Sequence, residues 1–163
     1  VTVKKVYTAD PDHFRDHLLV RMLPDEIAEI EITPLHGSAF SVSQDSSSIF
    51  VIKDIERQIV TVSERKIRLL LSCFSAIRFE AYLLPDQIPV DFDSSAPSSR
   101  IVISDFEGIS HELKIYTRIK TGEDEPDLFN ALVRFDQDPQ LMLVNYAYLD
   151  LLIRGLETYI PAQ

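Results

Sequence analysis

Phe50-Val51-Ile52-Lys53-Asp54 and Leu132-Val133-Arg134-Phe135-Asp136 stand 82 positions apart, each opening on two apolar residues and closing on Asp. The same step carries Ser63 onto Asn145, two residue types whose side chains cap helix N-termini. It then carries Ile67 to Leu149, Leu70 to Leu152, Leu71 to Ile153, Phe74 to Leu156 and Ile77 to Tyr159, an apolar stripe at helical spacing. One offset shared by strand, cap and helix predicts an internal duplication.

Working outward, each half reads as four strands and a helix. In the first, Ile30 and Ile32 alternate with Glu29 and Glu31, and Phe40 and Val42 alternate with serines. Residues 49–53 and 58–62 follow as two more strands before the helix from Ser63 through Ile77. In the second, strands are predicted over 100–104, 111–119, 131–135 and 141–144, then a helix from about Tyr146. Residues 84–99, with Pro85, Pro89 and Pro97, form a connector. Ahead of the first half, Asp10, Pro11, Phe14, Leu18 and Met22 predict a short N-terminal helix. The predicted class is α+β: a bracket over 1–26, ββββα halves over 27–83 and 100–163, and an antiparallel sheet in each half covered by its own helix.

Composition excludes several function classes. With 16 Lys+Arg against 26 Asp+Glu, the formal net charge is -10, which leaves no broad basic surface for nucleic acid. No run approaches the roughly 18 apolar residues of a membrane-spanning helix. The opening Val1-Thr2-Val3, without Met, is expected to follow a removed leader or anchor. The single cysteine, Cys73, lies in the apolar helix and is expected to be buried and unreactive.

Residue chemistry points away from catalysis. His13 and His17 have the spacing of two metal ligands, but Phe14 stands where the zinc-protease motif has its Glu. His36 and His111 fall at a turn and a strand end, no G-x-S-x-G occurs, and four glycines provide no phosphate cradle. The runs Asp91-Phe92-Asp93-Ser94-Ser95 and Glu123-Asp124-Glu125-Pro126-Asp127 offer oxygens for a hard cation without calcium-loop spacing. No catalytic residue, metal or cofactor is therefore expected.

The helix Ser63-Glu64-Arg65-Lys66-Ile67-Arg68-Leu69-Leu70-Leu71, running through Phe74 to Ile77-Arg78-Phe79-Glu80 after the strand pair Phe50-Val51-Ile52 and Ile59-Val60-Thr61-Val62, resembles the repeat of an uncharacterised bacterial domain-of-unknown-function family. The resemblance spans about residues 27–160. It implies an extracytoplasmic position, in the periplasm or cell envelope, behind an N-terminal anchor, and carries over no catalytic residue. The expected function is a non-enzymatic binding or scaffold module. The alternative is a small-ligand-binding or enzyme-like domain with a pocket between the halves. The expected partner is a basic protein, met through a sheet edge or the wet sheet face by Glu29, Glu31, Glu123, Asp124, Glu125 and Asp127.

Overall fold

The computed structural model describes residues 17–161 except 46, 48, 121 and 123. The expected N-terminal helix lies largely outside these residues. Its last part is corrected: Leu18–Val20 is a strand, β1, paired with β5 (Ile77–Arg78) through Leu18 opposite Arg78 and Val20 opposite Ile77. Backbone pairing outweighs a helical spacing carried by only three apolar residues.

The architecture is α+β with one large antiparallel sheet. Its strands are β2 (Ile27–Thr33), β3 (Phe40–Gln44), β4 (Phe50–Asp54), β6 (Ala81–Tyr82), β7 (Ser99–Asp105), β8 (Ser110–Tyr116), β9 (Asn130–Phe135) and β10 (Met142–Asn145). They lie in the order β4-β3-β2-β7-β8-β9-β10-β6, so the two expected sheets are one. The seam is β2 against β7, with Ile30 opposite Ile103 and Ile32 opposite Ile101. Each of these strands starts a meander with one open row of amides and carbonyls, and their pairing satisfies both rows.

The alternation in β2 sends Ile30 and Ile32 into the core and leaves Glu29 and Glu31 half exposed on the other face. Ile27 is buried as well because the register shifts between Ile27 and Glu29, a bulge held by the Gln44 side-chain amide, which donates to the carbonyls of Pro24 and Ile27. The strand expected over 58–62 does not form. Ile59 makes a single bridge to Lys53, and the Val60 amide donates to the Ile52 carbonyl at 2.9 Å. The meander of the first half therefore has three strands, β2, β3 and β4, and its fourth strand in the sheet is β6, beyond α1.

Helix α1 (Glu64–Ser72) buries Ile67, Leu70 and Leu71 against the sheet. The helix expected to run through Ile77 stops earlier: a 3-10 turn over Cys73–Ser75 buries Phe74, Ala76 is extended, and Ile77 reaches the core from β5. The hydroxyls of Ser72 and Ser75 donate back to the carbonyls of Leu69 and Ser72, tightening this end. Cys73 rotates off the stripe and is half-buried rather than buried; its thiol donates to the Leu69 carbonyl at 3.3 Å, and burial raises its pKa.

The second expected helix is one turn, α2 (Tyr146–Leu149), capped by the Asn145 side-chain oxygen, which accepts from the Ala147 amide at 2.8 Å. Irregular turns follow, yet Leu149, Leu152, Leu156 and Tyr159 are all buried. Each such side chain contributes roughly 1.5–3 kcal/mol.

The two halves interlock. After α1, β6 joins the outer edge of β10 in the second half. After α2, the chain returns to the first half: the Leu35 amide donates to the Ile153 carbonyl, the Leu156 amide to Ser38 and the Ser63 amide to Tyr159. Gly37 and Gly155 make this crossing possible, since a Cβ on Gly155 would lie 2.7 Å from the Gly37 Cα. The Glu157 carboxylate closes it by accepting from the Ser38 hydroxyl at 2.5 Å and the Ser38 amide at 3.1 Å. These bonds hold its carboxyl below the usual range.

Two loops share one design. The carboxylates of Asp54 and Asp105 each accept from the amides two and four residues on, and the residue three on is left-handed: Arg57 at φ 63° and Gly108 at φ 84°. Only Gly108 suits that conformation. Arg57→Gly is therefore expected to raise unfolding free energy by about 0.5–1 kcal/mol in urea titration, the strain relieved exceeding the added unfolded-state entropy. Its exposed 3.7 Å ion pair with Glu31 offers little to lose. An unchanged or lower midpoint would show that Arg57 carries no strain.

Candidate functional site

Two open features of the sheet are candidates. The first is the outer edge of β4. Antiparallel geometry makes successive residues point their main-chain groups to opposite sides. The Asp54 amide donates outward to Gln58 and the Ile52 carbonyl accepts outward from Val60, so Phe50 and Ile52 face away from β3. Among the described residues, the Phe50 amide and carbonyl and the Ile52 amide have no backbone partner on that side. They open on a groove of about 360 Å³ walled by Ile49, Phe50 and Ile52 on one side and Val60, Val62 and Ile67 on the other. The Arg68 guanidinium covers the Phe50 ring at 5.2 Å and pairs with Glu64 at 2.7 Å. Ile49 is 61% exposed at the mouth.

The outer edge of β9, by contrast, is closed by β10 over four residue pairs. Beyond Val60 the chain makes no further backbone bond to β4 among the described residues, and Ser63 is tied to Tyr159 instead, its amide donating to the Tyr159 carbonyl at 3.0 Å.

The second feature lies on the sheet face opposite α1. Tyr116, Leu132 and Leu141 point there while their neighbours Ile115 and Val133 point to the main core, so β8 and β9 are apolar on both faces. The connector covers them: Ile88 and Phe92 pack on this second cluster, Phe92 meets Tyr116 edge-on at 4.9 Å, and the Tyr116 hydroxyl donates to the Ser94 carbonyl at 2.8 Å. Burial pushes the Tyr116 phenol up, so it stays neutral as a donor.

Beside the connector a cavity of about 660 Å³ remains, floored by Tyr116 and Leu132 and walled by Phe92 and Ile119. Asp86, Asp91, Asp93 and Asp124 also line it, with Lys120. The Ser95 hydroxyl and amide donate to Asp93 at 2.6 and 2.8 Å and hold its carboxyl below the usual range. The connector run Asp91–Asp93 and, from the insertion, Gly122 and Asp124 are thus brought to one place. In the sequence, the signal for a covering role is that a proline-rich segment keeps Ile88, Val90 and Phe92.

The expected binding residues do not form a single site. Glu29 and Glu31 sit in β2 on the polar face, outside the cavity lining, with Glu31 facing Arg57. Asp124 lines the cavity, Glu125 is exposed in the same loop, and Glu123 falls outside the described residues. Asp127 is not offered to a partner: its carboxylate is fully buried, accepting from the Phe129 and Asn130 amides at 2.9 and 3.2 Å and from Arg118 at 3.1 Å. Burial raises its pKa, but these amides, with Lys120 and Arg118, outweigh that and leave it lowered.

The histidines are spread out. His17 stacks on Phe79, His36 bridges to Arg154, and His111 bonds Asp136 at 2.8 Å while stacking on Phe135; His13 lies outside the described residues. Among the described residues no group of three His, Cys, Asp or Glu is placed to hold a metal ion, and no helix is long and apolar enough to cross a membrane. The halves meet through the β2–β7 seam and again at the crossing, where a shallow cavity of about 470 Å³ lies between Leu35, His36 and Gly37 of the first and Asp150, Ile153 and Arg154 of the second. No protein-family model, curated protein or solved structure matches the chain.

Proposed function

We propose that this chain is a non-enzymatic protein-binding module that receives an extended segment of its partner on the outer edge of β4. The observation that carries this reading is the pair of outward residues Phe50 and Ile52, whose free main-chain groups face an apolar groove. Edge strands in this condition pair readily with another chain, main-chain bonds giving affinity and flanking pockets giving specificity. We place the module at the bacterial cell envelope on the sequence resemblance alone.

We also propose that the chain arose by duplication. In support, two antiparallel meanders run outward from the β2–β7 seam, β4 aligns with β9 at the step of 82, and α1 and α2 start just after Ser63 and Asn145. On this view the open edge of β4 is the counterpart of the edge of β9 that β10 fills.

The test uses capture of partners from a bacterial envelope extract. Ile49→Lys puts a charge at the groove mouth, and Phe50→Pro removes an outward amide without touching the β3–β4 ladder. Both are expected to retain a cooperative unfolding transition and to lose the captured partner at least tenfold. In the wild-type complex, amide exchange at Ile52 is expected to slow. A partner that tolerates both variants and leaves Ile52 exchange unchanged would sink the reading.

A further inference from the structure

We propose that the cavity beside the connector is a second docking site, one that takes an extended basic segment of a partner protein by its Lys or Arg side chains. The inference does not rest on the β4 edge, which lies at the opposite end of the sheet order from β8–β10.

Shape and charge together select the occupant. Above the buried Tyr116 and Leu132, Phe92 and the half-exposed Ile119 give an aliphatic stem a surface to cover, and the lining sets the carboxylates of Asp86, Asp91, Asp93 and Asp124 against the ammonium of Lys120. A cationic head on an apolar stem matches both parts. An anionic segment meets like charge, and an uncharged apolar one leaves the carboxylates unmatched.

The connector shows how a segment lies on this face. It crosses the second apolar cluster as a 3-10 turn over Pro85–Gln87 and two hydrogen-bonded turns, packing Ile88 and Phe92 on the cluster while Val90 is fully exposed. A basic segment lying alongside continues that layer. The aromatic pair Phe92 and Tyr116 adds a ring surface against which a guanidinium or ammonium is attracted. The hydroxyls of Ser98 and Thr117, 3.1 Å apart on the same lining, supply polar contacts for main-chain groups.

The test titrates the full chain with a ten-residue peptide alternating lysine and valine, its glutamate–valine counterpart, and spermidine. Titration calorimetry is paired with amide chemical shifts. The lysine peptide is expected to bind, shifting Phe92, Thr117 and Leu132, and to weaken as salt is raised. The double variant Asp91→Asn, Asp93→Asn is expected to weaken it about fivefold to tenfold, in line with two exposed charge pairs. Ile49→Lys at the β4 groove is expected to leave it unchanged, which separates this site from the other. Equal binding of the glutamate peptide, or indifference to the double variant, would overturn the proposal. Spermidine binding as tightly as the peptide, with the same shifts, would overturn the protein segment as occupant in favour of a free amine.

Discussion

Tyr159→Ala is expected to cost about 3–5 kcal/mol of unfolding free energy, the range for deleting a large buried aromatic side chain. Tyr159 is 1% exposed, its ring meets Phe40 of β3 at 5.2 Å, and its hydroxyl donates to the Leu151 carbonyl at 2.6 Å. Burial pushes the phenol up, so the group stays a neutral donor at all physiological pH. The residue comes from the second half but fills the core beside α1 and β3, and its carbonyl accepts the amide of Ser63. Removing it should loosen both halves together. A domain of this size holds only about 5–15 kcal/mol in total, so the variant sits near the limit of stability. Tyr159→Phe keeps the ring and removes the shorter of two donors to the Leu151 carbonyl, which the Arg154 amide still reaches at 3.4 Å, at about 1 kcal/mol. Urea unfolding followed by tyrosine fluorescence and circular dichroism should give one coincident transition in each protein. Two separate transitions, with only one moved by Tyr159→Ala, would show that the halves are independent after all.

Asp127→Ala is the second large effect, about 2–4 kcal/mol. It leaves the amides of Phe129 and Asn130 without their acceptor and Arg118 without its counter-ion. Arg118 is 28% exposed and can turn to water, which keeps the cost below that of a fully buried pair. The pH dependence follows from the lowered carboxyl. A group whose folded pKa lies below its unfolded value contributes stability that is present above the unfolded pKa, near 4, and is lost as pH falls through the folded one. Wild-type stability should therefore decline below about pH 4, and Asp127→Ala should decline less over the same window. Parallel pH profiles for the two proteins would show that Asp127 carries no proton linkage.

Much of the fold was legible because local pattern and tertiary demand agree in it. The alternation of Ile30 and Ile32 with Glu29 and Glu31 needs only a half-wet sheet to be satisfied. The stripe Ile67, Leu70, Leu71, Phe74 and Ile77 is buried throughout, although the backbone changes from helix to 3-10 turn to strand along it. Hydrophobic burial depends on which side chains leave water, and that much a sequence states directly.

The sites were less legible because they depend on what lies across the sheet. Asp127 and Asp124 look alike in an acidic loop, yet one meets Arg118 and two amides in the interior and the other lines a cavity. The connector reads as a proline-rich spacer until Tyr116 and Leu132 give Ile88 and Phe92 a surface to cover.

By itself, then, the sequence determined the strand-rich α+β class, the buried stripes and the acidic surface, since these follow from the polarity and spacing of near neighbours. Tertiary structure alone decided that β2 and β7 fuse two meanders into one sheet, that 58–62 meets β4 through a single bridge rather than as a strand, and that the segment after α2 locks onto the first half. The physical reason is that edge amides and carbonyls carry no sequence signature. Which chain satisfies them, or leaves them open for a partner, is settled only when all the strands compete for the same edges.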